Sequence, residues 1–230
     1  MLRKLILALS FSSLAAFSGS VLAVAFDITD IEGRKVHFED QPKTFIVANY
    51  IANFMMVGGA ASLEKVVALT KDGWEDTRYG EYQVFTKSFP KMKDLPSIGG
   101  YHDDILNAEK ILSLHPDVLL IGRTQYAENS QRIKTFEKAG IKVVVLDYHA
   151  MTTVNHTLST EILGKLLGRE RIAEAQNKTY KEALDHVYST IVKLPDDQVG
   201  TKVYMETWVK VKENWRDNMN YIRNFGYDEQ

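Results

Sequence analysis

The sequence predicts an α/β fold. A Rossmann-like parallel-sheet lobe is followed by a long connector helix and the beginning of a second α/β lobe. Three observations carry that expectation. Short apolar runs rich in β-branched residues recur between helical patterns. A long stretch after residue 150 carries only helical periodicity. A new apolar run then opens near residue 202. Continuous apolar strands are buried on both faces, which is the habit of parallel sheets. Strands alternating with helices argue for right-handed βαβ crossovers.

In chain order, FDITDIEGRKVHF (26–38) reads as a β-hairpin turning at Glu32-Gly33. FIVAN (45–49), VVAL (66–69), VLLIG (118–122) and VVVLD (143–147) read as buried strands. Ile105, Ala108, Ile111, Leu112 and Leu114 mark one face of a helix over 105–114. Asp103 or Asp104, with Asn107 nearby, is expected to cap that helix. Ile133, Phe136 and Ala139 mark another helix, ended by Gly140. TTVNHTLSTEILGKLLG (152–168) is a helix ending at Gly168, and 169–194 is a longer one. In the longer one Ile172, Tyr180, Leu184, Val187, Ile191 and Leu194 fall at three- and four-residue steps, which predicts a buried stripe. KVYME (202–206) reads as a strand, after which no period of 2 or 3.6 persists.

The 230 residues carry a net charge of -2 and no cysteine. No basic stripe points to nucleic acid, and no disulfide staples the fold. MLRK, an apolar run from Leu5 to Phe17 and the small residues of SGSVLAVA follow the order of a secretory signal peptide, cleaved near Ala23 or Ala25. An uncleaved anchor is the alternative, but five Ser and one Gly interrupt the stretch. The expected organisation is a signal peptide (1–23), an N-terminal α/β lobe (24–150), connector helices (151–195) and an incomplete start of a C-terminal lobe (196–230). Enzyme motifs are missing: there is no GxSxG, no HExxH and no phosphate-cradling Gly loop with its Lys.

Ligands of open parallel sheets bind beyond the carboxyl ends of the strands. That rule selects Asn49, Tyr50 and Asn53, then Lys71, Asp72 and Trp74. It also selects Arg123, Gln125 and Tyr126, and finally Tyr148 and His149. Tyr101 and His102 open the loop before VLLIG's helix and are expected on the same rim. Competing structural roles stand beside these. Trp74 can close the edge of the core, and Arg123 can pair with a neighbouring carboxylate.

Several segments together resemble a known family. FDITDIEGRKVHFEDQPKTFIVAN is similar to its opening hairpin, Pro-Lys and first strand. GGYHDDILNAEKILSLHPDVLLIG is similar to its Asn–hydrophobic–Glu–Lys helix, Pro-Asp and strand. AGIKVVVLD and GKLLGRERIAEA are similar to its next strand and its connector entry. The family is the periplasmic solute-binding proteins of ABC importers, in the class with a helical connector. These take ferric siderophores, cobalamin, haem or oxyanions. The resemblance implies a non-enzymatic, monomeric, periplasmic protein that hands a solute to an inner-membrane ABC permease and its ATPase. It implies no intrinsic cofactor. The leading ligand is a ferric chelate of siderophore type, with molybdate or tungstate as the alternative. Tyr101, His102 and His149 are the residues able to touch a metal centre, since phenolate and imidazole suit ferric iron. Family members are longer, so a truncated, non-transporting fragment is a further alternative.

Overall fold

The computed structural model describes residues 25–100, 105–150 and 152–195. A hairpin of β1 (Phe26–Thr29) and β2 (Lys35–Phe38) comes first. Four parallel strands form the main sheet: β3 (Phe45–Val47), β4 (Val66–Leu69), β5 (Val118–Gly122) and β6 (Lys142–Leu146). Their spatial order is β4-β3-β5-β6.

Strand residues alternate between two cores. Phe45, Val47, Leu69, Val118, Leu120, Val144 and Leu146 face one cluster. Ile46, Ala68, Leu119, Ile121, Val143 and Val145 face the other. The first cluster is closed by α1 (Ile51–Gly58) and α8 (Thr153–Leu167), which supply Phe54, Val57, Ile162, Leu163 and Leu166. The second is closed by α5 (Ala108–Leu114) and α7 (Ser130–Lys138), which supply Ile111, Ile133 and Phe136. Each such side chain stabilises the fold by about 1.5–3 kcal/mol when fully buried. Short helices α2 (Trp74–Thr77), α3 (Tyr79–Ser88) and α4 (Lys91–Asp94) follow β4, and α6 (Arg123–Glu128) follows β5.

The hairpin closes the free edge of β6. The N–H of Ile31 donates to the carbonyl of Val145 at 3.3 Å. Asp30, 2% exposed, accepts from the N–H of Val145 at 3.2 Å. Arg34 donates from Nε to Asp30 at 3.0 Å and from Nη2 to the carbonyl of Val143. An otherwise unpaired strand edge is thereby occupied.

Three expectations need correction. The helix expected over 105–114 starts at Ala108, and its cap is Asn107, whose side chain accepts from the N–H of Lys110 at 3.0 Å. Asp103 and Asp104 lie outside the described residues. Ile105 is 58% exposed and precedes the helix. Finally, the stripe expected to be buried along the longest helix, α9 (Glu170–Ile191), and just past its end, is covered only in part: Tyr180 and Leu184 are half-buried, whereas Ile172, Val187, Ile191 and Leu194 are 40–50% exposed. The face α9 buries carries Ala173 and Asn177. A Cβ at Gly164 of α8 would stand 2.6 Å from the Cβ of Ala173, so these two helices touch through small residues. Periodicity marks a face able to be buried and does not supply a partner for it.

The described residues up to Ala183 form one compact unit, which holds the sheet and both cores. A second begins at Leu184; its described part is the end of α9 and the turn to Pro195. The signal peptide, the 202–206 strand and the start of a second lobe fall outside the described residues.

Candidate functional site

The strand order reverses between β3 and β5, so the chain leaves these neighbours toward opposite faces and opens a crevice at their carboxyl ends. Asn49 and Tyr50 leave β3 there. Tyr50 has φ 64° and ψ 36°, the left-handed region that non-glycine residues rarely adopt. Its N–H donates to Oδ1 of Asn49 at 2.9 Å. Gly122, at the end of β5, makes room for both side chains. A Cβ there would lie 2.9 Å from Nδ2 of Asn49 and 3.3 Å from the Tyr50 hydroxyl. Buried Gln125 ties the two strand ends together, accepting from the N–H of Gly122 at 3.1 Å and donating to the carbonyl of Ala48 at 3.0 Å.

A cavity of about 180 Å³ opens over this point. Asn49, Tyr50, Asn53, Thr70, Trp74, Arg78, Glu81 and His149 contribute to its wall. The rings of Tyr50 and His149 meet edge-on at 5.2 Å, and those of Tyr50 and Tyr148 at 5.1 Å. Trp74 is 1% exposed and packs edge-on against Tyr82 at 5.5 Å, so it is core as well as wall. Nη1 of Arg78 stands 3.8 Å from Glu81. The wall therefore offers aromatic edges, one guanidinium, one carboxylate, two amides and an imidazole. That set can stack on a flat ligand and pair with an anion.

Of the thirteen residues expected on the rim, five meet here: Asn49, Tyr50, Asn53, Trp74 and His149. Tyr101 and His102 lie outside the described residues. Arg123 donates from Nε to Glu32 at 2.6 Å, a hydrogen bond that raises its pKa, and also stands 3.7 Å from Asp147. Tyr126 lies under the guanidinium of Arg34 at 5.0 Å. Tyr148 is 9% exposed, and its hydroxyl pairs with Oγ1 of Thr160 at 3.0 Å. Burial pushes its pKa up to about 12, which keeps the phenol protonated. Nζ of Lys71 donates to the carbonyl of Lys93 at 2.5 Å, and burial lowers its pKa.

Sequence reasoning missed Thr70, Arg78 and Glu81. Thr70 follows β4 directly and donates to the carbonyl of Ala48 at 2.6 Å. Arg78 and Glu81 sit further on, at the junction of α2 and α3. The strand-end rule reaches them only if the whole segment after β4 is followed. Among the described residues, no three His, Asp or Glu side chains gather to hold a metal ion.

Residues 46–216 match the family described as periplasmic binding protein. The chain belongs to that family. Its members are solute-binding proteins. Among solved structures, the TroA-like periplasmic binding protein FepB from Veillonella parvula is 26% identical, with a TM-score of 0.64; the match covers 73% of this chain and 50% of that one. The molybdate periplasmic binding protein MolA of Haemophilus influenzae, bound to molybdate, is 16% identical over 75% of this chain and 55% of its own, with a TM-score of 0.60. The siderophore binding protein BauB, bound to two molecules of acinetobactin and ferric iron, is 14% identical over 75% and 56%, with a TM-score of 0.55. The last two share the fold. The chain thus spans about half the length of these periplasmic binding proteins. A curated relative of another kind, GTPase Era of Clostridioides difficile, is 53% identical over 32 residues, 14% of this chain and 11% of that protein. No helix of the described residues is long and apolar enough to cross a membrane.

Proposed function

We propose that this periplasmic binding protein captures a ferric complex of siderophore type and delivers it to an inner-membrane ABC permease and its ATPase. In this reading residues 24–150 are the capturing lobe and 151–195 the connector. The chain is exported and works as a monomer in the periplasm. It makes and breaks no bond. The observation that carries the reading is the cavity at the strand ends, where Tyr50 and His149 present aromatic edges beside Arg78 and buried Trp74 backs the wall. Aromatic rings suit the flat groups of an organic chelator, and a guanidinium suits its negative charge. That BauB, of the same fold, holds a ferric siderophore supports the choice.

A second reading, a molybdate or tungstate carrier, is favoured by the cavity's volume. About 180 Å³ falls below the roughly 300–1,000 Å³ of sites that enclose a drug-sized ligand. A siderophore would seat only one side of itself here, whereas an oxyanion would fit whole.

Calorimetric titration with a ferric tris-catecholate and with molybdate tests both. The proposal expects the ferric complex to bind, and His149→Ala and Arg78→Gln each to weaken it about tenfold, near 1.4 kcal/mol. Binding of molybdate alone would replace the first reading by the second. Binding of neither would refute both.

A further inference from the structure

The loop carrying His149 is fastened by a buried carboxylate to which the reading above gives no task. Asp147 directly follows β6 and is 3% exposed. Its Oδ1 accepts from the backbone N–H of His149 and of Ala150, each at 3.0 Å. Its Oδ2 accepts from Nδ2 of Asn155, in the first turn of α8, at 2.9 Å. Arg123 adds its charge 3.7 Å from Oδ2 and is itself held by Glu32 of the hairpin turn at 2.6 Å. The backbone N–H of Asp147 donates to Oγ of Ser159 at 2.9 Å. The hairpin turn, the end of β5 and the start of α8 therefore converge on one residue.

We propose that Asp147 is the positioning residue of the cavity: its carboxylate fixes the turn 147–150 so that the His149 imidazole stands edge-on to Tyr50 at the wall. The proposal rests on reading the cavity as the solute site. An ionised carboxylate is an acceptor-only group, and it answers several N–H donors at once without presenting a competing donor. His149 itself is exposed. Without the tether the backbone of the turn that carries the ring would sample several conformations and would have to be ordered when the solute binds. With it, the backbone part of that ordering is already done before the solute arrives.

The test reads the ring directly, without ligand. In proton–carbon NMR spectra of the histidine rings, His149→Ala assigns the signal and Tyr50→Leu defines the ring-current shift that Tyr50 imposes on it. Asp147→Ala is expected to abolish that shift. Asp147→Asn keeps an acceptor oxygen for the two N–H groups and is expected to retain most of it. Asn155→Ala removes one support of the carboxylate and is expected to reduce it; that variant decides the matter should Asp147→Ala fail to fold. With a ferric tris-catecholate or molybdate as probe, Asp147→Ala is expected to weaken binding about tenfold and Asp147→Asn less than about threefold. A His149 signal that keeps its full Tyr50 shift in Asp147→Ala, or in Asn155→Ala where the first does not fold, would overturn the proposal. If the shifts move as expected while the wild-type chain binds neither probe, the tether is upheld and the solute reading alone fails.

Discussion

Tyr50 holds a left-handed backbone, φ 64°, where strain of about 1–3 kcal/mol is typical for a non-glycine residue. Asn tolerates this region far better. Tyr50→Asn is therefore expected to keep thermal stability within about 1 kcal/mol, because relieved strain offsets lost ring packing. The same variant is expected to lose most solute affinity. Unfolding scans and calorimetry on one sample check both halves. Tyr148 makes the complementary case, a rim residue turned structural. Its phenol has a folded pKa near 12 against an ordinary value of 10.0. A raised folded pKa gives stability that is complete below the unfolded pKa and lost as pH rises toward the folded one. Tyr148 is thus expected to contribute fully below pH 10 and to lose on the order of 2–3 kcal/mol between pH 10 and about 12. Tyr148→Phe, compared with wild type by urea unfolding across that window, is expected to flatten that part of the pH dependence. An unchanged slope would contradict the assignment.

At the scale of elements, the four sheet strands were legible because each is an uninterrupted apolar run bounded by polar residues. β4 and β5 fall on VVAL and VLLIG, and β6 is displaced by one residue. The hairpin and the Gly168 end of α8 were legible for the same local reasons. The start of α5 was not, since Asp103, Asp104 and Asn107 are all competent caps and only packing selects among them. The burial of α9 was not legible either. Gly164 and Ala173 are silent in a hydrophobicity pattern, yet they set where α8 and α9 meet. Gly164→Leu is expected to force these helices apart at a cost of about 1–3 kcal/mol, read as a lowered melting temperature. An unchanged melting temperature would show that the crossing relaxes freely. The site was half legible. Strand ends fall in fixed places, so Asn49, Tyr50, Trp74 and His149 could be found. Which side chains turn inward, as Gln125 and Tyr148 do, depends on tertiary hydrogen bonds that no spacing records.

For the whole molecule, the central question is whether a chain that spans about half the length of its solved relatives carries a site that works. Both faces of the sheet are covered, and each has its own core. Cooperative unfolding is therefore expected, since the sheet cannot lose one face without exposing the other. A solute binding only the folded chain at about a hundredfold over its dissociation constant adds near 2.7 kcal/mol. For a protein of this size that is a rise of roughly 5–10 °C in melting temperature. The most direct measurement is thermal unfolding of the chain alone and with ferric tris-catecholate, cobalamin, haem, molybdate and tungstate. One sharp transition is expected, raised by the ferric complex and unmoved by cobalamin. A broad transition that no compound shifts would contradict that expectation, because neither an independent fold nor a working solute site would then be present.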